Sequence, residues 1–275
     1  MYMIRRLLKG IFRRARFAKP ILEKVSKLEC SISSRWVYNA HRRLLLIQYL
    51  IPPIPRAPKY FYHRINLYYH WLASRNPLWV ERGVFNSLAL RWGGEVLELC
   101  CGDGFYTRNF YSIRAKRIIA CDYDKEAIMT AIRENSAENI EYILCDIRYD
   151  MPTGKFDNII MDGALGHFTK DETQNILENI KVRLSDCGIF SGYIVAEKQS
   201  DQKSLEYNKC EFKSKEDVIE ILKPYFNNII VFETIYPERH NLYFWASDGV
   251  IPFKEGWENM VSFSREVSMD TYEKK

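Results

Sequence analysis

The sequence predicts an α/β protein in which helices cover both faces of a doubly wound, mostly parallel, seven-stranded sheet. From residue 95 onward, short aliphatic runs typical of buried strands alternate with segments whose apolar residues recur at helical spacing. The last two strand candidates are separated only by Tyr236 to His240, which is too short for a parallel crossover, so the last strand is expected to run antiparallel. The seven strand candidates are 95–99, 117–121, 140–145, 156–161, 188–197, 228–235 and 241–247.

Helix signals fall between these strand candidates. Thr169 to Glu172 reads TKDE, the pattern of a capping box, and apolar residues at helical spacing follow it. Asp124 follows the second strand candidate and is expected to cap the next helix. Residues 76–94 are expected to form a helix that leads into the first strand.

Charge is distributed unevenly along the chain. Residues 1–75 contain 16 Lys and Arg but only two acids, whereas residues 76–275 contain 24 Lys and Arg and 33 acids. We therefore predict three parts, which are a basic helical N-terminal extension over 1–75, the sheet domain over 76–250 and a C-terminal tail over 251–275. A basic arm on an acidic body indicates that the arm has a partner of its own.

Residues 1–20 predict a basic amphipathic helix that Pro20 ends. Such a helix is typical of proteins that lie on an anionic membrane surface, here the inner face of the membrane. Two alternatives stay open, namely nucleic acid phosphates, which do not require an apolar stripe, and a solvated extension without a partner. The residues of the stripe are Ile4, Leu7, Leu8, Ile11 and Phe12.

The cysteines indicate a reduced, cytoplasmic protein. Their number is odd, seven, and no CxxC pair occurs, so a zinc site is not expected and no metal site is predicted. Four of them stand at the ends of predicted buried strands, where they are expected to act as small apolar residues. No apolar run reaches the ~20 residues that a membrane-spanning helix needs.

An acidic residue stands at the end of each of the first four strand candidates. In a doubly wound sheet the ligand lies outside the carboxyl ends of the strands, so these side chains are expected to meet there. A carboxylate 18 residues after Gly104 can accept hydrogen bonds from both hydroxyls of a ribose, and one strand further on a carboxylate can accept from an adenine amino group. The four acids are Glu98, Asp122, Asp146 and Asp162.

The loop after the first strand is rich in glycine. Gly102 and Gly104 let the backbone approach a ligand without a Cβ in the way. Cys100 occupies the position where a first glycine is expected, which is tolerable if Cys100 keeps φ below zero. A nicotinamide dinucleotide fits less well, because its third small residue would fall at Thr107 or Phe105 and Glu98 would stand beside the pyrophosphate.

These motifs resemble those of the class I S-adenosylmethionine-dependent methyltransferases, which have a Rossmann-like fold. VLELCCGDG, IIACDYD, YILCDI and FDNIIMDGALGHF are similar, in order, to the first four motifs of that family, over roughly residues 76–247. The resemblance implies that S-adenosyl-L-methionine is the cofactor. It implies cofactor-binding roles for Glu98, Cys100, Gly102, Gly104, Asp122, Tyr123, Asp146 and Ile147.

The resemblance also implies an acceptor site beside the fourth strand. His167 or Asp162 would be the base for a hydroxyl acceptor, although a histidine before a capping box is more often structural. The connection before the last strand would contact the substrate through Arg239, His240 and Asn241. Trp79 and Arg82 would belong to a lid over the cofactor, or to an ordinary packing helix.

The predicted activity is transfer of a methyl group to a small-molecule, glycan or lipid-linked acceptor, at a hydroxyl. Asp162 is followed by Gly163-Ala164 and not by the Pro-Pro-aromatic pattern of amino-directed DNA methylation, which disfavours base amines. Two alternatives remain, which are an RNA methyltransferase that grips phosphates with its basic arm and a non-catalytic module that binds the cofactor. Nucleic acid is the less favoured partner.

Overall fold

A computed structural model of the 275-residue chain describes residues 19–49, 78–196, 212–236 and 239–252. The chain divides into two compact units, Met1–Pro77 and Leu78–Lys275. The amphipathic helix predicted over residues 1–20 and the tail predicted over 251–275 lie almost entirely outside the described residues.

The described part of the first unit is one long helix, α1, which spans Lys19–Tyr49. It confirms that a helical extension precedes the sheet. Four apolar residues at helical spacing are exposed on α1, namely Val25, Leu28, Ile32 and Trp36. Within the described residues, no helix is both long enough and apolar enough to cross a membrane.

The second unit contains the predicted seven-stranded sheet, with the strand order β3-β2-β1-β4-β5-β7-β6. β1 to β5 are parallel, and β7 runs antiparallel to both of its neighbours, β5 and β6. The fold prediction is thus confirmed, including the antiparallel last strand. The strands are β1 Glu95–Leu99, β2 Arg117–Asp122, β3 Ile140–Leu144, β4 Phe156–Asp162, β5 Leu184–Ala196, β6 Asn228–Tyr236 and β7 Arg239–Ser247.

Helices connect these strands. Thr169 begins α4 with the predicted capping box, in which its hydroxyl accepts from the backbone N–H of Glu172. Asp124 caps α3 by accepting from the backbone N–H of Glu126 at 2.9 Å. The helical segments are α2 Leu78–Ala89, a π-helical turn Thr107–Tyr111, α3 Lys125–Glu134, a 3-10 turn Leu165–His167, α4 Lys170–Arg183 and α5 Lys215–Leu222.

The helix before β1 is shorter than the predicted 76–94, because α2 ends at Ala89. The fully buried Asn158 of β4 stops it, since the Asn158 amide donates to the Ala89 carbonyl at 2.8 Å and accepts from the Arg91 N–H at 2.9 Å. Gly93, at φ +70°, then turns the chain into β1. A side chain 67 residues away thus ends the helix, which local sequence patterns do not reveal.

One face of α2 packs on the part of the sheet formed by β5 and β7. The ring of Phe85 stacks on Tyr243 with centroids 4.7 Å apart. The backbone carbonyl of Phe85 accepts from the Trp245 indole N–H at 3.1 Å. Because Arg82 lies one turn before Phe85 on this helix, the packing carries it towards the carboxyl ends of the strands.

Candidate functional site

The loop after β1 bends sharply at the carboxyl edge of the sheet. Cys100, Gly102 and Gly104 all have positive φ, at 58°, 58° and 71°. The condition that Cys100 keeps φ below zero is therefore wrong. The next residue explains the difference, because the Cys101 N–H donates to the Cys121 carbonyl of β2 at 2.9 Å, which draws the chain back towards β2 directly after β1. The left-handed conformation costs a non-glycine residue about 1–2 kcal/mol, which the surrounding contacts have to offset.

Gly104 is required by space as well as by conformation. A Cβ at this position would overlap the hydroxyl and ring of Tyr142. Tyr142 is held in place because its hydroxyl donates to the Asn135 carbonyl at 2.8 Å. The loop therefore packs closely against a fixed aromatic ring at Gly104.

Asp122, the last residue of β2, holds the loop in position. One carboxylate oxygen accepts from the Gly102 N–H at 2.9 Å, and the other accepts from the Asp124 N–H at 2.9 Å. Asp122 is 8% exposed, so these contacts fix its orientation in a protected environment. Each oxygen keeps a further lone pair for a ligand, as the predicted ribose role requires.

The acids at the ends of the first three strands lie at the same edge of the sheet as Cys100, because β1, β2 and β3 are adjacent and parallel. Burial raises the pKa of the Cys100 thiol far above its ordinary range, and the negative charges of Asp122, Asp146 and Glu98 raise it further. All three carboxylates therefore act on one point of the loop, as the sheet topology predicted. Cys100 packs against the hydrophobic core, and a raised thiol pKa disfavours a nucleophilic role.

Asp146 differs from the expectation of a carboxylate open to adenine. The Arg148 guanidinium binds both of its oxygens, with Nη2 to Oδ2 at 2.6 Å and Nε to Oδ1 at 3.0 Å, and this pairing lowers the pKa of Asp146. Arg148 also reaches Glu172 at 3.2 Å. The adenine role of Asp146 stays a prediction, in which Arg148 orients the carboxylate. Ile147 is buried beside it in the core, and Tyr123 is 73% exposed at the same edge of the sheet.

Glu98 is buried at the carboxyl end of β1. Its carboxyl accepts a hydrogen bond of 2.6 Å from the Thr107 hydroxyl, and Thr107 opens the π-helical turn that follows the loop. Burial raises the pKa of Glu98 to about 8. The hydrogen bond from Thr107 and the positive charge of Arg82 oppose this rise, whereas the negative charge of Asp162 adds to it. Glu98 was predicted from the sequence as a site residue. Thr107 was missed, because it was considered only for the third small-residue position of a dinucleotide site.

The Glu98→Gln variant is expected to lose part of the pH dependence of folding. A carboxyl whose pKa is higher in the folded than in the unfolded chain binds more protons when folded, so the free energy of unfolding falls as pH rises from about 4.5 to about 8. The slope for one such group is at most about 1.4 kcal/mol per pH unit. Urea unfolding across this window measures the slope, and equal slopes in wild type and variant would refute the assignment.

Asp162 ends β4 and forms a buried ion pair with Arg82 of α2. Arg82 Nε and Nη2 lie 3.0 and 2.9 Å from Oδ2 of Asp162. Burial raises the pKa of Asp162, and the charge of Arg82 opposes that shift. Oδ1 of Asp162 is buried and accepts no hydrogen bond of standard geometry from the described residues, although the Asn86 side chain lies near enough to lower the pKa of Asp162. A buried, unsatisfied carboxylate oxygen is costly, and at a strand end it indicates that a ligand donates to it.

His167, the other predicted base, lies on the 3-10 turn after β4 and is exposed. The turn begins three residues after Asp162, so the two candidates lie close in the sequence but in opposite environments. The catalytic role of each stays a prediction. The side chain of Trp79, the other lid candidate, lies outside the described residues, whereas Arg82 lies over the rings of Tyr106 and Tyr193, 4.8 and 4.7 Å from their centroids.

The three residues predicted to contact substrate divide between the two faces of β7. Arg239 and Asn241 lie on one face and meet at the hydroxyl of Tyr193, which donates to Asn241 Oδ1 at 3.3 Å and accepts from Arg239 Nε at 3.0 Å. His240 lies on the other face and pairs with Glu233 at 3.0 Å. Period-2 alternation along a strand separates them. Tyr193 was missed because its strand position alone does not distinguish it from a core residue.

Among the described residues, no group of three or more His, Cys, Asp and Glu side chains is arranged to hold a metal ion.

Comparison with known proteins agrees with this geometry. Residues 96–188 match the family described as a methyltransferase domain. Among curated proteins, none matches the chain.

Solved structures share the fold of the second unit. The DhpI–SAH complex is 23% identical, with a TM-score of 0.51, and the match covers 68% of this chain and 90% of that chain. The N-methyltransferase NodS from Bradyrhizobium japonicum WM9, in complex with S-adenosyl-L-homocysteine, is 19% identical with a TM-score of 0.51, covering 64% of this chain and 91% of that chain.

Proposed function

We propose that this chain is a class I S-adenosylmethionine-dependent methyltransferase, with S-adenosyl-L-methionine as its cofactor, and that it methylates a small-molecule, glycan or lipid-linked acceptor at a hydroxyl group. The match of residues 96–188 to a methyltransferase domain and the seven-stranded fold support this proposal.

One observation carries the proposal, which is that Glu98, Asp122 and Asp146 stand at the carboxyl ends of three adjacent parallel strands, beside the tight loop that follows β1. A cofactor with a ribose, an adenine and a cationic amino group fits such a site, because it offers hydroxyl and ammonium donors to carboxylates. The left-handed Gly102 lets the backbone approach the cofactor without a Cβ in the way, whereas Gly104 lets the loop pack against Tyr142. The open oxygen of Asp162 is a further acceptor for a cationic or hydroxyl donor.

The residues of the site orient the reactants and exclude water. S-adenosyl-L-methionine supplies a methyl group that is already activated by the sulfonium. Asp122 would accept from the ribose hydroxyls, and Glu98 would accept from the cofactor's ammonium group, whose positive charge would favour ionisation of the carboxyl. With a pre-activated methyl group, alignment of the acceptor and exclusion of water provide most of the rate enhancement.

Removal of the proton from a hydroxyl acceptor requires a base, and His167 and Asp162 are the proposed candidates. Asp162 has an open oxygen and a raised pKa, both of which suit a base. His167 is exposed on the turn that follows β4. Undiminished turnover by His167→Asn with the true acceptor would leave Asp162 as the candidate.

Replacing Asp122 by asparagine is expected to weaken binding of S-adenosyl-L-homocysteine. The variant removes the negative charge. Its amide NH₂ also faces one of the two backbone N–H groups, of Gly102 and Asp124, from which the carboxylate accepts hydrogen bonds. We expect a loss of about 2–3 kcal/mol, or about 30- to 150-fold in Kd, for two hydrogen bonds to a charged group. Titration calorimetry measures this loss, with Glu141→Gln, an exposed acid on β3 paired with Arg117, as the control. An unchanged Kd would overturn the ribose role.

Incubating the full chain with labelled methyl donor and fractionated cell extract tests the activity. We expect label in the metabolite, glycan or lipid fraction, and not with Asp122→Asn at limiting donor. Label in RNA would instead favour the alternative in which the basic arm grips phosphates, and that binding would weaken steeply with salt. Cofactor binding without label in any fraction would favour a non-catalytic module and contradict the proposed activity.

We also propose that the N-terminal extension binds an anionic membrane surface. The predicted arm over residues 1–20 is basic and amphipathic, and α1 continues the pattern with exposed Val25, Leu28, Ile32 and Trp36. Lys24 and Arg35 lie beside that stripe on one side of the helical wheel, and Glu29 lies beside it on the other. Liposome flotation of the full chain and of a chain lacking residues 1–20 tests this, and equal flotation would refute a role for the arm.

A further inference from the structure

The acceptor side of the site contains an arginine that no described carboxylate neutralises. Arg239 is the first residue of β7, and because β7 is antiparallel to β5, this residue lies at the edge where the parallel strands end. Among the described residues Arg239 forms no ion pair. Its guanidinium donates only to neutral oxygens, which are Tyr193 Oη, bound by both Nε and Nη2, and Asn241 Oδ1, 3.1 Å from Nε.

These neutral contacts fix the direction of the guanidinium. Asn241 is fully buried and is itself held by its amide, which donates to the Thr234 hydroxyl at 3.1 Å. Tyr193 is also buried, and its ring lies under the guanidinium, 5.8 Å from its centroid to Arg239 Cζ. Nε and Nη2 of the guanidinium are thus both bound. Nη1 has no acceptor among the described residues, so it can donate to a ligand.

The acids nearby already have partners. Asp162 binds Arg82, which lies against the same Tyr193 ring at 4.7 Å. Glu81 accepts from the hydroxyls of Thr234 and Tyr236, each at 2.6 Å. Among the described residues, neither Asp162 nor Glu81 forms an ion pair with Arg239, so its guanidinium can still bind an anion directly.

We propose that Arg239, oriented by Tyr193 and Asn241, binds an oxyanion of the methyl acceptor, a phosphate or a carboxylate. This proposal rests on the proposed methyl transfer and narrows its acceptor to an anionic molecule. A planar fork with a rigid base matches the two oxygens of such a group, which a hydrated lysine would not do equally well. Arg239 is a specificity-determining residue in this assignment, and the reacting hydroxyl lies elsewhere on the acceptor.

The test separates anion binding from catalysis. The full chain, saturated with S-adenosyl-L-homocysteine, is titrated with sodium phosphate or sodium acetate at constant ionic strength, and the thermal unfolding midpoint is followed. We expect a saturable rise for wild type and at least a tenfold weaker response for Arg239→Gln. Arg239→Lys, which keeps the charge without the fork, should respond in between. Arg133→Gln, an exposed arginine paired with Glu134, should behave as wild type.

The outcomes distinguish phosphate from carboxylate acceptors. They also separate failure of this proposal from failure of the proposed function. A response to phosphate alone identifies a phosphorylated acceptor, and a response to acetate as well extends the class to carboxylates. Equal responses of wild type and Arg239→Gln, or no saturable response in wild type, would overturn the proposal. Calorimetry with S-adenosyl-L-homocysteine runs in parallel, since Arg239→Gln should keep the wild-type Kd. Loss of cofactor binding in wild type would instead refute the proposed function.

Discussion

Replacing Gly104 by alanine is expected to abolish measurable binding of S-adenosyl-L-homocysteine and to destabilise the domain by about 3 kcal/mol or more. Two costs add at this position. The backbone has φ +71°, and the new Cβ would lie 2.7 Å from Cζ of Tyr142 and closer still to its hydroxyl. Tyr142 cannot turn away without breaking its 2.8 Å hydrogen bond to the Asn135 carbonyl. The loop would therefore move, and with it the N–H of Gly102 that Asp122 binds.

Gly93 provides a matched control for this prediction. It has nearly the same φ, +70°, but nothing lies within 4 Å of a Cβ built there. Gly93→Ala should therefore cost only the conformational term, about 1 kcal/mol, and leave the cofactor Kd unchanged. Urea unfolding and titration calorimetry of both variants measure the difference. Equal losses in the two variants would show that the contact with Tyr142 is unimportant.

A double-mutant cycle identifies the atom responsible. The hydroxyl of Tyr142 is the atom nearest to the added Cβ, so Tyr142→Phe should relieve part of the clash. The double variant is then expected to be less destabilised than the sum of the single variants. Strict additivity would place the cost of Gly104→Ala in the backbone alone.

The sequence predicted the parts of the site that strand order alone determines. Glu98, Asp122 and Asp146 stand at the ends of adjacent parallel strands, so they had to meet at one edge of the sheet once the topology was right. The antiparallel last strand followed from the short connection before it. These features depend on chain connectivity and on periodicity, both of which are local.

The features that were missed depend on contacts between distant segments. Cys100 adopts positive φ because the next N–H pairs with the Cys121 carbonyl on the neighbouring strand. Tyr193 joins Arg82 of α2 to Arg239 of β7, three residues that no sequence spacing relates. Propensity at a single position does not anticipate such pairings, since tertiary contacts outweigh a local preference of about 1 kcal/mol.

Arg82→Met is expected to destabilise the domain by about 3–5 kcal/mol, because it leaves Asp162 buried without its cation. The pair has little access to water, with side-chain exposures of 15% for Arg82 and 5% for Asp162. Methionine fills most of the space between the rings of Tyr106 and Tyr193 but supplies no charge. Arg117→Met, in an exposed pair with Glu141, should cost less than about 1 kcal/mol.

The pH dependence of the Arg82→Met variant tests the electrostatic origin of this loss. Burial already raises the pKa of Asp162, and removal of Arg82 takes away the main influence that opposes the rise. When the pKa of a carboxyl is higher in the folded than in the unfolded chain, the free energy of unfolding falls as pH rises from the unfolded to the folded value. The variant should therefore be destabilised more at alkaline than at acidic pH. Adding Asp162→Asn should restore much of the lost free energy of unfolding, because no buried charge then remains unpaired. If the double variant is no more stable than Arg82→Met at any pH, packing of the guanidinium between the two rings, and not its charge, holds α2 against the sheet at this edge.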